Sequence, residues 1–143
     1  MIRAMSAAII FAAGATIAYA QSGVVDQRQN AMKAIAKAAG TPGAMLKGQA
    51  PFDLAKVQET LNVFKAQGVK LKELWPEASK SEASASMPVV WDKHAEFLGL
   101  FDQLVAATDT ASAAIKDEAS LKAEWPKVMR SCGGCHREYR KPS

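Results

Sequence analysis

The stretch Trp125-Pro126-Lys127-Val128-Met129-Arg130-Ser131-Cys132-Gly133-Gly134-Cys135-His136-Arg137-Glu138-Tyr139-Arg140 decides how the rest of the chain is read. Trp125, Val128, Met129, Cys132, Cys135, His136 and Tyr139 recur at spacings of three and four. That is the period of one face of an α-helix. The stripe runs from apolar side chains straight into two thiols and an imidazole, so one face both packs a core and presents reactive groups. A helix over about 123–140 follows, with Pro126 fitting best in its first turn.

Cys132-Gly133-Gly134-Cys135-His136 is C-x-x-C-H, the attachment sequence for c-type haem. Two thiols at this spacing can form thioethers with the two vinyl groups on one porphyrin edge. The adjacent imidazole can then reach the iron, and glycines between the thiols leave the ring edge unobstructed. A redox dithiol would sit beside a βαβ pattern, which is missing. A closed zinc site needs four ligands, and the only further histidine is His94. The chain has just these two cysteines. A disulfide between them would close a tiny loop and stabilise little.

Three more amphipathic segments precede this one. The first spans about 24–39, with Val24, Arg28, Ala31, Met32, Ile35, Ala36 and Ala39 inward, and Gly40, Pro42 and Gly43 ending it. The second spans about 52–67, opened by Pro51 and closed at Gly68, with Leu54, Val57, Leu61 and Phe64 on one face. Leu71, Leu74 and Trp75 form an apolar knot before Pro76, and 76–86 has a linker composition. The third spans about 88–108, with Val90, Trp91, His94, Phe97, Leu98, Phe101, Leu104 and Val105 inward. Residues 109–120 read as an Ala-rich connection holding a helical turn. Four such helices predict an all-α, antiparallel four-helix bundle with one covalently attached haem between facing helices.

Residues 1–20 read as an export signal rather than as fold. Arg3 is followed by an apolar run at 7–13 and by Ala18-Tyr19-Ala20, an A-x-A cleavage pattern. The run is too short to span a bilayer, and no later stretch is apolar enough. The mature domain is then 21–143, in the periplasm, one domain with one core. Removing Arg3 takes one charge from a formal net charge of +4. That mild excess excludes the dense basic stripe of a nucleic-acid binder.

Motifs in order along the chain carry a resemblance. Arg28-Gln29-Asn30-Ala31-Met32-Lys33, Met87-Pro88-Val89-Val90-Trp91, and Cys132 to Arg140 read as Cys-x-x-Cys-His-x-x-Tyr-Arg are similar to the class II cytochromes c. That family comprises cytochrome c′ and its low-spin relative cytochrome c-556. The resemblance implies a helical haem c protein with no enzymatic activity, with His136 on the iron. It places Met32 at the sixth iron position. In the c-556 type a methionine there gives a low-spin electron carrier. In cytochrome c′ an apolar residue leaves the iron five-coordinate and open to NO or CO. The residues point the same way. Met129 shares the helix of His136, Met45 lies in a Gly/Pro-rich loop and Met87 at a helix entry, whereas Met32 is central on a core stripe. Core filling by Met32 is the competing reading.

Arg28, one turn before Met32, faces inward and needs an anion. A haem propionate or a core-edge carboxylate would serve. Arg140 covers the proximal haem side, as the resemblance implies, or stands solvated. His94 is a rival ligand or a satisfied core-edge residue. Trp91, Trp125, Phe97 and Phe101 are haem-pocket wall or plain core. Lys127, Arg130, Arg137, Arg140 and Lys141 make a basic rim suited to an acidic redox partner, or a solvated face. Monomer and homodimer both remain open, the first two helices being the candidate pairing face.

Overall fold

A computed structural model describes residues 13–142, with side chains from residue 23. The export-signal reading falls on residues 1–12, outside the described residues, and on the first part of the first helix, whose side chains are not described. Five α-helices and one 3-10 turn follow in order: α1 (Ala13–Leu46), α2 (Leu54–Lys72), the 3-10 turn (Glu77–Ser81), α3 (Val89–Asp92), α4 (His94–Ala114) and α5 (Glu118–Tyr139). The four long helices form the expected all-α four-helix bundle, with no strand among the described residues. α2 packs against both α1 and α4, α4 against α5, and α1 closes against α5.

The helices are longer than the sequence suggests. α1 runs through Pro42, which removes the N–H that Ala38 O would accept. Thr60 Oγ1, buried on α2, donates to that carbonyl instead (3.3 Å), so the helix continues. α2 extends past Gly68, where a Cβ would stand 3.2 Å from Val105 of α4. The missing side chain there lets two helices approach closely. Asp53, not Pro51, starts α2, its carboxylate accepting from the Lys56 N–H (3.1 Å).

The region expected as a connection, 109–120, is mostly helix. α4 takes 109–114 and α5 takes 118–120, leaving only 115–117 between them. Asp117 and Ser120 form a reciprocal capping box at the start of α5. Pro126 therefore lies in the helix interior rather than its first turn, on the exposed side where water can take the Lys122 carbonyl it frees. The third segment divides at Lys93, whose backbone (φ −116°, ψ 42°) breaks α3 from α4.

The core joins Ala31, Ile35 and Met45 of α1 to Val57, Leu61, Phe64 and Leu71 of α2, Phe97, Phe101 and Leu104 of α4, and Leu121, Trp125, Val128 and Tyr139 of α5. Val25 is buried where Val24 was expected, and Ala36 is exposed. Met129, expected on the inward stripe, is 37% exposed. The segment before α3 is tied to the end of α5: Met87 N–H donates to Tyr139 O (2.9 Å) and Lys141 N–H to Ala85 O (2.8 Å).

Candidate functional site

α5 carries Cys132, Cys135 and His136 on the side that meets the core, all three half-buried. Both cysteines are free thiols packed against core residues. Burial raises the pKa of each; that of Cys135 is pushed up to about 11, helped by the neighbouring Cys132 and Glu138. Gly133 and Gly134 between them are exposed, and a Cβ on either would meet nothing. Burial, then the charge of Arg140, lowers the pKa of His136. The imidazole is thus neutral at pH 7 and has a lone pair for a metal. α5 is held in place here by Phe97 against Tyr139 (ring centroids 5.0 Å) and by Tyr139 Oη–H donating to Glu96 (3.3 Å).

α1 supplies the residues that the sequence places across the core. Met32 is half-buried and packs on the core cluster. Arg28, one turn earlier, is only 4% exposed. Its guanidinium lies over Trp75 (4.4 Å to the ring centroid) and near Trp91 (6.0 Å). Such stacking is worth about 0.5–2 kcal/mol. Its Nη1 and Nη2 are buried with no hydrogen-bond partner among the described residues, and neither is Trp75 Nε1 partnered there. Burial pulls the Arg28 pKa down, and Glu82 opposes that. Two buried charged donors beside aromatic rings call for an acceptor beyond the described residues. A haem propionate meets that requirement, and two thiols beside a neutral imidazole meet those of covalent attachment and iron ligation. The residues present therefore fit the group.

Arg140 is exposed at the end of α5, its N–H donating to His136 O (3.2 Å), with its backbone bridged to Ser86. His94 is the first residue of α4 and half-buried, and its Nε2 has no partner among the described residues. Trp91, Trp125, Phe97 and Phe101 are all buried. The basic rim is partly spent: Lys127 pairs with Glu124 (2.6 Å), and Lys141 Nζ donates to Ser84 O (2.9 Å). Sequence reasoning missed the cage around Arg28. Trp75 looked like part of an apolar knot, and no local pattern joins it to α1.

The match to the cytochrome C′ family runs over residues 23–140. The chain belongs to the cytochrome c′ family. Among its relatives, cytochrome c′ of Rhodopseudomonas palustris is 41% identical over 89% of this chain and 88% of the relative. Cytochrome c-556 of the same organism is 30% identical over 95% and 93%. The solved R. palustris cytochrome c′ superposes with a TM-score of 0.82 at 40% identity, covering 84% of this chain and 97% of that one. A cytochrome c′ variant from Alcaligenes xylosoxidans, described as a nitric oxide complex, gives 0.77 at 27% identity, with coverage of 86% and 97%. The cofactor of this class II cytochrome is a covalently attached haem c.

Proposed function

We propose that the chain is a periplasmic electron carrier whose haem is attached through Cys132 and Cys135 and ligated by His136 and Met32. When bound, the haem supplies a one-electron couple. The chain does the rest. Half-burial of α5's thiols and imidazole keeps water off one side. The neutral His136 offers its lone pair without first losing a proton. Arg28 holds a propionate through its two bare nitrogens, and Arg140 lies beside the proximal imidazole. The observation that carries the reading is Met32 on the core face of α1, one turn from Arg28. A thioether sulfur is an established sixth ligand in c-type cytochromes. No catalytic residue belongs to this reading, and no helix among the described residues is long and apolar enough to cross a membrane.

The partner that fits is a redox protein with an acidic surface. Arg130 and Arg137 are exposed and enter no ion pair among the described residues. Met32→Leu tests the ligation. The variant should turn high-spin and bind CO readily; a low-spin, CO-inert variant would remove Met32 from the iron.

A second reading has its own support: the cytochrome c′ relative is more similar than the c-556 relative, 41% against 30%. In that reading Met32 packs beside a five-coordinate iron without bonding it, and the chain binds NO or CO.

A further inference from the structure

His136 stands one turn before Tyr139, the last residue of α5. The carbonyls of that final turn have no partner further along the helix. Helix ends also open more easily than helix middles. An iron ligand placed there needs its turn held from outside.

Two segments hold it. The stretch before α3 pairs with the helix end around an antiparallel bridge between Ser86 and Arg140. There Met87 N–H donates to Tyr139 O (2.9 Å), Lys141 N–H to Ala85 O (2.8 Å) and Lys141 Nζ to Ser84 O (2.9 Å). Arg140 N–H in turn donates to the His136 carbonyl (3.2 Å). From the other side, the break between α3 and α4 brings up Lys93, Glu96 and Phe97. Lys93 pairs with Glu138 (2.8 Å), but the two side chains are 49% and 45% exposed, so that bridge contributes little. Tyr139 is different, being only 4% exposed. Its ring packs on Phe97 (centroids 5.0 Å, planes at 53°), its phenol donates to Glu96 (3.3 Å), and its carbonyl takes the Met87 N–H. Both segments converge on this one residue.

We infer that Tyr139 is a positioning residue for His136: it fixes the last turn of α5, and with it the reach and the plane of the imidazole. The inference rests on His136 as the iron ligand and adds which residue sets that ligand's placement. Groups beyond a metal's own ligands orient those ligands and tune the metal. A loosely held imidazole donates less to ferric iron, so loosening the turn raises the reduction potential.

The test uses the holoprotein. Proton NMR of the native ferric form comes first. His136 ring signals far outside the diamagnetic range are expected; ordinary positions would bring down the iron reading, and the inference with it. The reduction potential and the ferric electron paramagnetic resonance, which reads imidazole orientation, are then compared across variants. Tyr139→Leu loses ring and phenol and should raise the potential and alter the resonance. Tyr139→Phe keeps the ring on Phe97 and should do the same to a smaller extent. In a Glu96→Ala background the Tyr139→Phe shift should vanish, because the phenol has already lost its partner. Gln58→Ala removes a bond from α2 to Ser112 O (2.9 Å), near the far end of α4, and should leave both readouts native. Native readouts in both Tyr139 variants, beside displaced His136 signals, would overturn the inference and leave the iron reading standing. A Tyr139→Phe shift undiminished without Glu96 would overturn it too. So would an equal shift in Gln58→Ala, since any loosening of the bundle would then reach the iron.

Discussion

Arg28 shows how one residue can reveal what a chain is built to hold. An arginine that is 4% exposed, stacked on Trp75 and with two unpartnered nitrogens, is destabilising as it stands. An anion bound there would recover that cost. The two thiols belong to the same logic. Burial raises the pKa of both thiols, that of Cys135 to about 11, which disfavours the thiolate form before the haem is attached. Cys132→Ala with Cys135→Ala should abolish haem that survives on a denaturing gel and leave a chain without a cooperative thermal transition. A fully cooperative melt in that double variant would show that the core does not depend on the haem.

Elements are set by contacts that a local pattern does not contain. Pro42 should stop α1, and does not, because Thr60 of α2 takes over the Ala38 carbonyl. Thr60→Val should cost about 1–3 kcal/mol in a urea titration, the price of a buried acceptor left bare. Restoring an N–H with Pro42→Ala should reduce that cost, and an equal cost in both backgrounds would contradict the account. On α5 the two glycines of the haem motif stand in open space, so no contact within the chain demands them. Gly134→Ala should raise stability by about 1 kcal/mol, from helix propensity alone. A loss of stability on the same titration would mean that the position is sterically occupied in the holoprotein.

Across the whole molecule, what was legible in the sequence followed the range of the interactions. The haem motif is local, so Cys132, Cys135 and His136 could be singled out as candidates from spacing, and the stripes that make four helices were readable. Helix ends were not: the α4–α5 junction depends on an Asp117–Ser120 box, and α1 on a hydrogen bond from another helix. The Arg28 cage was half legible. Arg28 itself lies on an inward stripe, but Trp75 and Trp91 reach it from distant segments that only the bundle brings together. The same holds for function. Family membership fixes a haem bundle, while in the proposed reading the difference between carrying electrons and binding gas turns on a single side chain, Met32. The most direct test is the optical spectrum of the reduced holoprotein with and without CO. Sharp low-spin bands that CO barely alters are the result expected for methionine on the iron. Broad high-spin bands that shift promptly with CO would contradict it and make the chain a gas-binding cytochrome c′.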